Sequence, residues 1–259
     1  MSHINRRSLL SWLGVSAASS LIPHSAVAEA MSQKRTRLLS IESFRLTDTA
    51  QLPHVHAYLQ STFLPLLNRI HDGPKMFLEA IVAPHLPQVL SLTVFSSFEE
   101  MLQVRGSISA VPGIRRARTG LESIASSVLG QVQSQLMVTS GESLCVPAGS
   151  ETLQSSVLEL RSYHAPTWHD LPLARIQAVL ARNGIHPIVN ASTAAAEHMP
   201  RFTYLVPFES LAARQDAWAR LDADSEWIEM QRESIARYGS AAKVTEKSIY
   251  KLAPYSPLA

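Results

Sequence analysis

The chain reads as an α+β protein in which two tandem ferredoxin-like repeats pair within one polypeptide. Three observations predict this. The segment Leu38-Leu39-Ser40-Ile41-Glu42-Ser43-Phe44 resembles Val157-Leu158-Glu159-Leu160-Arg161-Ser162-Tyr163, an offset of 119 residues from Phe44 to Tyr163. Leu92-Thr93-Val94-Phe95-Ser96-Ser97-Phe98 resembles Leu205-Val206-Pro207-Phe208-Glu209-Ser210-Leu211, 113 residues on from Phe95 to Phe208. A nearly constant offset over separate matches indicates duplication, with a slightly longer first copy. Each copy also reads strand, helix, strand, strand, helix, strand, which is the split βαβ plan. Finally, Leu158 and Leu160 face one side of their strand, while Val157, Glu159, Arg161 and Tyr163 face the other. A sheet with helices on one face must cover its second face. The two copies are therefore expected to pack sheet to sheet as a built-in dimer.

In the first copy a strand is expected over 38–45. A helix over about 52–71 follows, with Leu52, Val55, Leu59, Phe63, Leu66 and Ile70 at helical spacing. Pro65 lacks a backbone donor and must kink or divide it, and Gly73-Pro74 stops it. Strands are expected near 75–83 and 88–95. Ser97 and Glu100 have capping-box spacing and open a second helical region, and a strand near 135–139 closes the copy. In the second copy the strand at 156–164 leads to Asp170 as helix cap and to Leu173, Ile176 and Leu180 on one helical face. Gly184 stands where a left-handed residue ends a helix. Strands are expected near 185–190 and 201–208, joined by an Ala-rich loop around 194–197. Helices from Glu209 to about Leu221 and from Ser225 to Tyr238 precede a last strand near 244–252. The domain boundaries read as 1–30, 37–140 and 155–259, with 141–154, which holds Gly141, Pro147, Gly149 and Ser150, as the linker.

Composition excludes several classes of function. The chain has 259 residues, 46% hydrophobic and 17% charged, an ordinary globular balance. No run approaches the ~18 apolar residues of a membrane-spanning helix. The formal charge is +2. Removing the first 28 residues takes away Arg6 and Arg7, leaving 23 − 2 = 21 basic against 21 acidic groups. A neutral mature surface gives no electrostatic reason to bind nucleic acid. Arg115, Arg116 and Arg118, the densest basic cluster, follow Pro112-Gly113 and read as a solvated helix start or loop rather than a polyanion site. Cys145 is the sole cysteine, so an internal disulfide and a Cys-pair zinc site are both excluded.

Residues 1–30 have the parts of an export signal in order: Arg6-Arg7, a moderately apolar stretch from Leu9 to Ile22, and small residues around Ala28 or Ala30 as cleavage sites. Asn5-Arg6-Arg7-Ser8-Leu9-Leu10 resembles the twin-arginine motif. It has Leu9 where Phe is preferred and Ser11 where Lys is common. A general secretory signal is the alternative. Either predicts a periplasmic or otherwise exported protein.

Four segments of the second copy carry a family resemblance: Leu158-Glu159-Leu160-Arg161-Ser162-Tyr163, the stretch from Phe202 to Arg214, Asp224-Ser225-Glu226-Trp227, and Tyr255-Ser256-Pro257-Leu258. In this order they resemble the NIPSNAP family of the dimeric α+β barrel superfamily, over residues 156–258. The first copy matches poorly; it has Glu42 where Arg161 stands and lacks the acidic-Trp segment. The resemblance implies an α+β fold of tandem ferredoxin-like repeats forming an intramolecular dimeric α+β barrel. It implies little chemistry, because related barrels include both monooxygenases and haem-binding enzymes.

The candidate ligand-binding residues are Arg161, Tyr163, Glu159, Tyr204 and Trp227. The alternation is expected to aim Arg161, Tyr163 and Glu159 into the space between the sheets, where a buried charge needs a partner. Glu42 across the pseudo-twofold, or Glu159 itself, would supply it. One reading is a salt bridge that fixes how the copies dock. In the other, Arg161 binds an anionic ligand and Tyr163 donates a hydrogen bond. The eight mature histidines, His54, His56, His71, His85, His164, His169, His186 and His198, read as scattered and solvated. No metal site is expected and no cofactor is assigned. Haem is the one candidate, with His186 or His198 as ligand. Trp218 and Trp227 read as core anchors between helix and sheet. No Ser-His-Asp order, phosphate loop or metal motif is present.

The expected function is that of an exported protein binding a small hydrophobic or anionic ligand, or a protein partner. The alternative is an oxygenase-like or haem-dependent enzyme using a cavity between sheet and helices. A third reading is a structural module with a filled core and an exposed apolar patch. The copies pair within the chain, and further homo-oligomerisation stays open.

Overall fold

The computed structural model describes residues 37–124, 132–139, 144, 153–164, 173–196, 199–239 and 243–257. The expected export signal, most of the expected linker with Cys145, Asp170, His169 and His198 lie outside the described residues. The described residues include eight strands: β1 (Arg37–Arg45), β2 (Lys75–Val82), β3 (Gln88–Phe95), β4 (Val132–Thr139), β5 (Val157–His164), β6 (Val189–Ala195), β7 (Arg201–Phe208) and β8 (Lys243–Leu252). They close into one antiparallel barrel in the order β1-β3-β2-β8-β5-β7-β6-β4. Each copy supplies four neighbouring strands in the same order, β4-β1-β3-β2 and β8-β5-β7-β6. The seams are β2 with β8, from Leu78↔Leu252 to Val82↔Ile249, and β4 with β6, from Leu136↔Ala195 to Thr139↔Ala191. Closure removes the sheet edges as well as covering the inner face. The fold is a dimeric α+β barrel made by one chain.

The helices pack outside. The first copy carries α1 (Leu52–Tyr58), a π-helical turn at Leu59–Phe63, α2 (Leu64–Ile70), α3 (Phe98–Ala110) and α4 (Pro112–Ile124). The second carries α5 (Leu173–Arg182), α6 (Leu211–Ala223) and α7 (Ser225–Tyr238). Pro65 sits in the first turn of α2, where its missing donor costs least, and the π turn ahead of it absorbs the break. Ser97 and Ser210 cap α3 and α6, accepting from the N–H groups of Glu100 and Ala213. The Glu100 carboxylate returns to the N–H of Ser96 rather than of Ser97. Gly184 closes α5 at φ +79°. From β3 onward the copies stay in step: β3 and β7 (88, 201), α3 and α6 (98, 211), and α4 and α7 (112, 225) each start 113 residues apart. The larger offset of 119 at β1 and β5 reflects a longer first connection in copy one.

The sequence reading misplaces one strand. β6 begins at Val189, and Ala194 and Ala195, expected in a loop, lie inside it. Strand propensity is weak in Asn-Ala-Ser-Thr-Ala-Ala, but β7 and β4 supply ladder partners on both sides and override it.

Inside the barrel, Leu39, Ile41, Met76, Leu78, Leu90, Leu92, Met137, Leu158, Leu160, Val189, Leu205 and Tyr250 make one buried cluster. Leu144, beside the start of β6, and Leu153, just ahead of β5, plug one end, and the Leu144 N–H donates to Ile188 O at 2.7 Å. Outside, Phe202, Tyr204, Val206 and Phe208 of β7 pack on Ile176, Trp218 and Leu221 of the helices. No helix among the described residues is long and apolar enough to cross a membrane.

Candidate functional site

The alternation in β5 is as expected, but its sense is reversed. Leu158 and Leu160 belong to the barrel interior, whereas Glu159, Arg161 and Tyr163 face the helices. At the level of Leu158 and Leu160 the interior is an aliphatic layer with no group to solvate a charge, so the more apolar face of the strand takes it. Glu42 is not the partner of Arg161. Glu42 also faces its own helices, where Arg105 of α3 binds it at 3.1 Å.

Glu159 is fully buried and satisfied by three groups. The indole N–H of Trp218 donates to Oε2 at 2.6 Å and Arg214 to Oε1 at 2.7 Å, while Arg161 Nε lies 3.4 Å from Oε1. Arg214 and Trp218 are four residues apart on one face of α6, which brings both over the strand. The Arg161 guanidinium carbon lies over the Trp218 ring, 3.5 Å from its centre. Its Nη1 reaches the Tyr163 hydroxyl at 3.4 Å, a long contact. Burial, only partly offset by Arg161, pushes the Tyr163 hydroxyl pKa up. Tyr163 meets Tyr204 edge-on at 5.8 Å, and burial raises the Tyr204 pKa as well.

This cluster floors a cavity of about 490 Å³ between β5, β8 and helices α5 to α7. Arg161, Tyr163 and Trp227 line it, together with Trp218, Ile176 and Met230. Glu159 and Tyr204 do not; they lie behind the wall as supports. Four cations, Arg161, Arg175, Arg237 and Lys247, face two carboxylates, Asp222 and Glu233. Arg175 is occupied by Glu226 and Glu233. The Tyr238 hydroxyl and Arg161 Nε are buried without a hydrogen-bond partner. The sequence reading did not single out Arg175, Met230, Arg237, Tyr238 or Lys247. The four-residue spacing of Arg214 and Trp218 is a signal that could have shown α6 covering the β5 charges.

The histidines are less solvated than expected. His71 is buried, with Nδ1 3.0 Å from Glu100 and Nε2 3.0 Å from Val94 O. His56 bridges Glu79 at 3.0 Å and Tyr255 at 2.9 Å, and His85 reaches Leu46 O. His54, His164 and His186 are exposed. Among the described residues, no three His, Cys, Asp or Glu side chains are grouped to hold a metal ion.

Residues 157–257 match the NIPSNAP family model. The NIPSNAP-matching segment therefore spans β5 to the tail after β8 and contains the whole cavity. No curated protein is a detectable sequence relative. Among solved structures, a variant chlorite dismutase from Candidatus Nitrospira defluvii superposes with a TM-score of 0.49 at 8% identity, covering 89% of this chain and 96% of that one. A DypB variant from Rhodococcus jostii in complex with heme gives 0.49 at 9% identity, over 85% and 94%. A heme-binding protein from Thermus thermophilus gives 0.45 at 10% identity, over 86% and 94%. Likeness this distant transfers no chemistry. The cavity wall also contains no histidine or cysteine among its described residues, so it offers a haem iron neither of those ligands.

Proposed function

We propose that the chain is an exported binding protein whose NIPSNAP-matching half takes a small aromatic anion in the cavity above Arg161. One observation carries this reading: two guanidiniums, Arg161 and Arg214, share a single buried carboxylate, which leaves excess positive charge at the floor of an aromatic-walled cavity. An anion over Arg161 would offset that charge, and Trp227, Ile176 and Met230 would shelter an apolar body. The corresponding cavity of the first copy has one cation, Arg105, against one carboxylate, Glu42, and so has no such excess.

The test is quenching of tryptophan fluorescence by 2-naphthoate, with 2-naphthalenemethanol as the neutral control. Saturable quenching by the acid is expected, weakened about tenfold or more in Arg161→Ala, as loss of one charge-assisted bond implies. Equal affinity in a folded Arg161→Ala protein would remove the arginine from the site. The export part of the proposal rests on Arg6-Arg7 and the small residues before Ala28 and Ala30. Replacing both arginines by lysine should leave unprocessed chain in the cytoplasm; normal processing would rule out the twin-arginine route.

A further inference from the structure

A second cavity, of about 470 Å³, opens at the end of the barrel opposite the Leu144 and Leu153 plug. It lies inside the barrel, on the pseudo-twofold axis, and is built by both copies. The inward positions that are Leu39 and Ile41 in β1 become Ser43 and Arg45 at this end, and in β5 Leu158 and Leu160 give way to Ser162. Opposite them, Gln88 opens β3 and Arg201 opens β7, at equivalent positions of the two copies. The wall therefore grades from an apolar floor of Ile41, Leu90 and Leu160 to a rim bearing two guanidiniums.

A barrel of eight strands is just wide enough for side chains to fill it. Polar inward residues at one end leave space and hydrogen-bonding groups where a uniform core would leave neither. The polar atoms there are incompletely used. Arg45 Nε and Arg201 Nε are both buried without a hydrogen-bond partner. Arg201 is partly neutralised by Glu246 at 3.4 Å. Arg45 has no ion pair with another described residue, so among the described residues the rim has a cation to spare. The Tyr250 hydroxyl is engaged by Gln88 at 2.6 Å, which fixes one side of the wall.

We infer that this barrel-end cavity is a second binding site, for a short aliphatic carboxylate held by Arg45, with Arg201 beside it, and with its chain against Ile41, Leu90 and Leu160. The site is distinct from the cavity over Arg161: it lies on the other face of the same sheet and needs both copies. It does not depend on the function proposed above.

The test is calorimetric titration of the full chain with hexanoate, using 1-hexanol as the neutral control. One hexanoate per chain is expected, weakened about ten- to a hundredfold in Arg45→Gln, the range for a lost charged hydrogen bond. Arg45→Lys should recover part of the affinity, and Arg161→Ala should leave it unchanged. Absence of saturable binding by millimolar hexanoate, or equal affinity in a folded Arg45→Gln protein, would overturn the assignment. Loss in Arg161→Ala instead would place the acid in the outer cavity and equally overturn it. Equal binding of 1-hexanol would show that the apolar floor acts without the rim and would also overturn the assignment.

Discussion

Glu159 is a carboxylate with no exposed surface, and Trp218, Arg214 and Arg161 converge on it. Removing one member of such a cluster leaves an uncompensated buried charge, which typically costs about 3–5 kcal/mol. Glu159→Gln should lower unfolding stability by about that amount in urea titration. A loss under ~1 kcal/mol would mean that water or other groups already solvate the arginines. In the first copy the strand charge equivalent to Arg161 is reversed and more exposed. At the positions of Glu159, Arg161 and Trp218 that copy has Ser40, Glu42 and Arg105, and the arginine comes from the helix to meet the strand carboxylate. This reversal explains why matching Glu42 to Arg161 in sequence suggested a pairing that the fold does not make.

At the scale of elements, Asp224 joins the three helices over the outer cavity. It ends α6 and caps α7, accepting from the N–H groups of Glu226 at 2.9 Å and Trp227 at 3.1 Å. It also binds Arg182 at 2.6 Å and Asn183 at 2.9 Å, which anchors the end of α5. Hydrogen bonds from Arg182, and next from Asn183, hold its carboxyl well below the usual carboxylate range. A depressed folded-state pKa gives stability that is present above the unfolded value, about pH 4, and lost as pH falls further. Wild type should therefore lose more melting temperature than Asp224→Asn between pH 5 and pH 2, and parallel profiles would contradict this linkage. The α7 boundary was legible because an Asp followed by Ser-Glu-Trp signals a helix start. The start of β6 was not, since its Ala and Ser residues have no strand preference of their own.

For the whole molecule, the barrel is the unit that buries the sheets. Each half would expose β8 and β6, or β2 and β4, as unpaired edges, and its inner face would be wet. The second half produced alone, residues 153–259, should self-associate, with a light-scattering mass at least twice that of the fragment. A folded monomeric fragment would show that the second copy covers its inner face without the first.

Duplication, the order of strands and helices, the need for a covered second face and the helix caps are local or periodic properties, and the sequence by itself determined them. Which face of β5 turns inward, which carboxylate meets Arg161 and which end of the barrel stays polar were decided only in the tertiary structure. Alternation specifies two faces but not which is inside; that depends on the combined apolarity of eight strands. The partner of a buried charge depends on how far the helices reach back over the sheet, which neither repeat encodes alone.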